Sequence, residues 1–180
     1  MEKTRLLLLG LLVVFISGCA HVISREVRQR ADPSLTPARV REDPEKYRGK
    51  WVLWGGEVIE TFTQRDGTTL LEIFHRPLGW RGEPKETDAS EGRFLALAEK
   101  YLDPYLFRRG RKVTVAGEIQ GERTKPLGEM EYRYPIILAK EIHLWEYARV
   151  YYYPPYYYDL WWWGYPYGWR FYFHYHYPRR

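Results

Sequence analysis

Trp51-Val52-Leu53-Trp54-Gly55-Gly56-Glu57-Val58-Ile59-Glu60-Thr61-Phe62 decides the fold. Aromatic and β-branched residues on either side of a glycine pair read as one extended strand. A glycine pair inside a strand marks a bulge or a sharp bend, the device with which a small barrel turns its corner. Arg65-Asp66-Gly67 is a turn signal, and 68–75 forms a second, mostly apolar strand. The stretch 76–91 is rich in Pro, Gly and charge and reads as a long exposed loop. Residues 93–101 carry both periods: Phe94, Ala98 and Tyr101 sit at helical spacing, yet Phe94-Leu95-Ala96-Leu97 suits a buried strand. The strand is preferred because a barrel needs it. Asp103-Pro104 caps one helical turn over 105–109, closed by Gly110. Val113, Val115 and Ile119 alternate with Thr114, Glu118 and Gln120 in a half-buried strand. Leu127-Gly128-Glu129 turns the chain into a last strand over 135–145, with Ile136, Leu138, Ile142 and Leu144 on one parity.

Upstream, Thr36 can cap a short helix with Pro37 in its first position. Val40 and Tyr47 share a face, Pro44 interrupts the turn and Gly49 ends it. The order is therefore short helix, three strands, a helical turn, two strands. This predicts an all-β domain over 37–147, a five-stranded OB-like Greek-key barrel, with a small open sandwich as the alternative. Residues 19–36 are polar, mixed in charge and without a core-forming period, so they read as a flexible tether.

Composition sets limits. The chain has 180 residues and one Cys, which excludes an intramolecular disulfide framework and a zinc site built from several thiolates. The net charge of +5 permits anionic partners without demanding one. Aromatic residues reach 18%, but they pile up after Val150, so a fairly ordinary β domain is followed by a different kind of polymer.

The first 18 residues read as an export leader. Lys3 and Arg5 give a positive start, and 6–16 is an apolar run too short to span a bilayer, which takes about 20 residues. Ile16-Ser17-Gly18-Cys19 follows and resembles the bacterial lipobox: an aliphatic residue, two small residues, then Cys. A reachable thiol on Cys19 accepts diacylglycerol, while Ile16, Ser17 and Gly18 fit the signal peptidase that cuts before it. Several acyl chains, palmitate among them, hold firmly because each buried methylene contributes roughly 0.8 kcal/mol. The residue after the Cys is Ala20 rather than Asp, which points to the outer membrane.

A family resemblance completes the picture. Cys19, Trp54-Gly55-Gly56, Pro77-Leu78, Ser90-Glu91-Gly92-Arg93-Phe94, Gly110-Arg111 with Val113-Thr114-Val115-Ala116-Gly117, Gly128-Glu129, Tyr132-Arg133-Tyr134-Pro135 and Leu144-Trp145 occur in the order of the Slp family. The chain thus resembles the starvation-inducible outer-membrane lipoproteins of Gram-negative bacteria over roughly 1–147, with the tail after Val150 outside the match. The resemblance implies a periplasm-facing lipoprotein tied to stationary phase and envelope stress, and it implies no catalytic residues. The function expected is a non-enzymatic structural or stress-associated envelope component. The alternative is a binding module for glycan, peptidoglycan or a small apolar ligand.

The tail, 148–180, is low-complexity. Trp161, Trp162, Trp163, Trp169 and Arg170 are the candidates for contact with anionic lipid headgroups or with sugar rings of peptidoglycan. A disordered or loosely collapsed extension is the competing account.

Other chemistry is thin. His174 and His176 lie two apart without a third ligand, so no metal or cofactor is expected. His75 and His143 end their strands, with His143 read as a surface pair with Glu141. Glu57, Glu60, Asp66 and Glu72 read as solvated carboxylates of the first hairpin. Trp51, Trp54 and Phe74 with Arg108, Arg109, Arg111 and Lys112 would suit nucleic acid on an OB-like face. Export argues against that partner, and the basic cluster reads as a solvated turn or a lipid-headgroup contact.

Overall fold

The computed structural model describes residues 21–146. The expected lipobox residues Ile16, Ser17, Gly18 and Cys19, the tail residues Trp161, Trp162, Trp163, Trp169 and Arg170, and His174 and His176 lie outside the described residues.

Two short helices, α1 (Arg25–Arg30) and α2 (Pro37–Glu42), precede a 3-10 turn (Glu45–Tyr47). Five strands follow: β1 (Trp51–Thr63), β2 (Thr69–His75), β3 (Arg93–Ala98), β4 (Lys112–Leu127) and β5 (Met130–Leu144). They close into a barrel in the order β1-β2-β3-β5-β4, with β4 returning to β1. All pairings are antiparallel except β3 with β5. That is the OB-like barrel expected from the sequence, and it excludes the open sandwich.

Closure depends on β1, whose first half, 51–57, pairs with β4 while its second half, 56–63, pairs with β2. The bulge lies at Ile59, between Val58 and Glu60, rather than at the glycine pair. Gly55 and Gly56 serve close approach instead. A Cβ on Gly56 would overlap the carbonyl oxygen of Phe74, and one on Gly55 would stand 2.6 Å from the Leu78 side chain.

The interior is filled by alternating side chains: Val52, Trp54 and Val58 of β1, Leu71 and Ile73 of β2, Phe94, Ala96 and Ala98 of β3, Val113, Val115 and Ile119 of β4, and Ile137 and Ala139 of β5. Trp54 meets Phe94 edge to face at 5.1 Å. The β3–β4 connection inserts Leu102 and Phe107 into this core. It holds one turn in which the Asp103 carbonyl accepts from Leu106 and Phe107 N–H.

The last strand departs from the expected parity. Gly117 opposes Ala139 and Ala116 opposes Glu141, so Lys140 bulges out of the ladder. The extra residue swaps faces: Ile142 and Leu144 pack against the main core with Ile137 and Ala139, whereas Ile136 joins a second cluster with Leu70, Leu95 and Tyr134.

The expected tether is folded onto the barrel through most of its length. Ser24 accepts from Val27 N–H and caps α1, and Thr36 accepts from Arg39 N–H and caps α2 with Pro37 in its first turn. Ile23 is 2% exposed and Leu35 4%. The buried Trp54 indole requires an acceptor and finds it in the Leu35 carbonyl at 2.7 Å. Isolated apolar residues in a polar stretch have no period to betray them, which is why docking was not legible there. The loop over 76–91 is likewise more than exposed chain. Gly82 and Pro84 are buried, Leu78 bridges Pro84, and the Arg76 guanidinium donates to the Thr87 carbonyl.

Candidate ligand cleft

The docked segment leaves a cleft of about 430 Å³ between residues 28–36 and the barrel wall. Ala31, Pro33 and Leu35 supply one side, Leu53 and Trp54 of β1 and Leu78 after β2 the other, and Arg28, Asp32, Thr36 and His75 are its polar groups. Asp32 N–H is held by the Trp51 carbonyl at 2.8 Å, which fixes this segment along β1.

His75 ends β2 at 8% exposure. Its Nδ1 accepts from Glu91 N–H at 3.2 Å, so the neutral ring carries its proton on Nε2. Burial pushes this imidazole down to about 4, against the opposing pull of the Glu91 carboxylate. At neutral pH the ring is an uncharged donor and a poor base. Asp32 is held below the usual carboxylate range by the Ser34 hydroxyl and then the Ser34 N–H. Among the described residues no hydrogen bond or ion pair joins His75 to Asp32. The arrangement therefore offers apolar walls, the neutral His75 ring, the Thr36 hydroxyl and one charge of each sign, Arg28 and Asp32, which suits retention of a ligand better than proton transfer.

The other sequence candidates fall elsewhere. Glu141 accepts from both the N–H and the hydroxyl of Ser24, at 2.8 and 2.5 Å, so the expected pair with His143 is not formed. His143 instead stacks edge to face on Trp145 at 4.8 Å. Glu57 pairs with Arg76 at 3.1 Å, and Asp66 caps its turn through Thr68. Trp54 is inside the barrel, while Trp51 and Phe74 lie under the guanidinium groups of Arg30 and Arg76. The basic cluster is divided. Arg111 donates to the Trp145 carbonyl, Lys112 pairs with Glu86 at 2.6 Å, and Arg108 covers Tyr105.

Glu72 was missed. Read as a solvated strand carboxylate, it is 5% exposed. It pairs with Arg93 at 2.8 Å and Lys125 at 3.2 Å, and Tyr134 Oη donates to it at 3.3 Å. Lys125 also lies 4.3 Å from the Phe62 ring centre. Next door, the Tyr132 hydroxyl accepts from Arg93 N–H at 3.0 Å and from the Arg41 guanidinium. The long β4–β5 hairpin thus folds back over the outer side of β2 and β3, and this cluster fastens it there. No local signal in 69–75 announces a cover supplied by residues 125–134.

Comparison with known proteins adds the relationship. The Outer membrane lipoprotein Slp family matches residues 16–169. That reaches past 147, so the related region takes in much of the aromatic tail that the motif resemblance leaves out. The chain is 31% identical over 165 residues to the uncharacterized lipoprotein YeaY of Escherichia coli K12, covering 90% of this chain and 84% of that one. An uncharacterized Haemophilus influenzae protein is 27% identical over 106 residues, covering 58% and 57%. Among solved structures, a small single-stranded DNA-binding protein from Streptomyces coelicolor aligns with a TM-score of 0.35 at 16% identity, covering 53% of this chain and 94% of that one. A mitochondrial single-stranded DNA-binding protein from S. cerevisiae aligns at 0.34 and 13%, with the same coverage.

Proposed function

Because the chain belongs to the Outer membrane lipoprotein Slp family, we propose that it is anchored in the outer membrane by lipid on Cys19 and faces the periplasm as a non-enzymatic component of the envelope. The observation that carries this reading is positional. The family match begins at residue 16, the first residue of Ile16-Ser17-Gly18-Cys19, directly where the apolar run of the leader ends. Ala20 after the Cys supports the outer rather than the inner membrane. Cys19→Ala removes the only thiol in the chain. The expected result is complete loss of labelling by a tagged fatty acid and disappearance from the outer-membrane fraction. Unchanged labelling or unchanged fractionation overturns the reading.

A second reading places a small apolar ligand with one anionic or accepting group in the cleft. It is favoured by six apolar wall residues beside Arg28 and the neutral His75, with the Asp32 carboxylate in the same cleft already taken up by the Ser34 hydroxyl and N–H. An anilinonaphthalene sulfonate, which is aromatic and anionic, is the probe. Leu53→Glu is expected to weaken its binding at least about tenfold by setting a charge in the apolar wall. Equal affinity of parent and variant overturns this reading.

A further inference from the structure

The first described residues do not trail away from the barrel. Val22 N–H donates to the Arg81 carbonyl at 3.3 Å. The His21 ring lies against Gly82, where a Cβ would stand 2.6 Å from its Cε1. Ile23 is buried, and Ser24 is bonded twice to Glu141. Cys19 is two positions before His21, and a chain reaches at most about 3.6 Å per residue, so the Cys is tied within about 7 Å of a residue seated on the loop of Arg81.

That loop ends in a stiff turn. Gly82 N–H donates to the Gly79 carbonyl at 3.0 Å, Gly79 N–H donates to the Glu83 carbonyl at 2.7 Å, and the Thr114 hydroxyl holds the Gly82 carbonyl at 2.5 Å. Trp80 and Arg81 occupy its tip. Trp80 is 72% exposed, with the Arg81 guanidinium 5.9 Å from its ring centre. The acids beside the tip, Glu83 and Glu86, share Lys112 at 4.0 and 2.6 Å, which offsets one of their two charges against an anionic surface.

We infer that the Trp80–Arg81 turn is a membrane-contact site. The indole enters the headgroup layer, and the guanidinium meets phosphates of the same phospholipid leaflet that receives the acyl chains. Trp prefers that layer because its ring is apolar and its N–H polar, and Arg pairs with phosphate there. The inference rests on lipidation of Cys19: with so short a leash, the leaflet is the surface that the turn meets. The contact fixes which end of the barrel faces the lipid.

The test uses the full lipoprotein, reconstituted in phosphatidylethanolamine–phosphatidylglycerol vesicles that carry a nitroxide-headgroup lipid. With Cys19 blocked by its thioether, Glu83→Cys offers one thiol for a bimane label beside the turn. Met130→Cys, at the far end of the hairpin from Lys112, is the reference. Quenching is expected to be about threefold greater at position 83 than at 130. Adding Trp80→Ala and Arg81→Glu, both at exposed positions, should bring it toward the reference. Equal quenching at the two positions in an acylated chain, or quenching at 83 unmoved by the double substitution, overturns the contact and leaves the anchor standing. A chain shown by mass to carry no acyl group overturns both.

Discussion

Gly56→Ala is expected to leave little folded barrel at ambient temperature. The added Cβ would occupy the space of the Phe74 carbonyl oxygen, and the next nearest atoms are also backbone. No rotamer change relieves such an overlap, so β1 and β2 must separate where Gly56 pairs with His75. This is also where β1 passes from β4 to β2, so the displacement disturbs both seams. A cost of about 4 kcal/mol or more follows, at the upper end for single substitutions and comparable to the whole stability of a small domain. Urea unfolding followed by tryptophan fluorescence reads it out. Gly67→Ala is the control: its φ of +83° disfavours a side chain, but no atom lies within 4 Å, so the loss should stay near 1–2 kcal/mol. A Gly56→Ala protein with an unchanged midpoint would mean that β1 and β2 can part at Gly56 without loss of stability.

Glu72→Ala is expected to destabilise the barrel by about 3 kcal/mol, the low end for breaking a buried ion pair. The low end applies because the side chains of Arg93 and Lys125 keep 27% and 26% of their exposure, and water recovers part of what the carboxylate supplied. The comparison that identifies the mechanism is the triple substitution Glu72→Leu, Arg93→Met and Lys125→Met. It removes the charges together and should cost less than Glu72→Leu alone, since no uncompensated cation is left under the hairpin. A Glu72→Ala midpoint indistinguishable from the parent would show that the cluster contributes geometry without net stability.

These two positions also show what could be read in advance. The strands, their order, the cap at Thr36 and the turn at Gly67 were legible because each rests on local pattern: alternation, a capping side chain, a turn residue. Gly56 was legible as a special position, though as a bend rather than a close approach, because composition marks an absent side chain without naming its neighbour. Glu72 was misread because alternation tells inward from outward but cannot say that the outward face has its own cover. The cleft was invisible for a related reason. It joins residues 28–36, 53–54 and 75–78, three segments that meet only once the barrel exists. The proposed lipobox is the reverse case, a reading that rests wholly on four consecutive residues, Ile16-Ser17-Gly18-Cys19.

The seat of the N-terminal segment has a consequence in time. Ser24 is held by Glu141, 117 positions later in the chain, on the strand that completes the barrel. A chain synthesised from its N-terminus cannot offer that carboxylate until nearly the whole domain has been made. Until then Ser24 lacks the acceptor that holds it, although Val22 has its partner in Arg81 much earlier in the chain. Seating of residues 21–24 is thus tied to closure of the barrel and cannot be complete before β5 is in place.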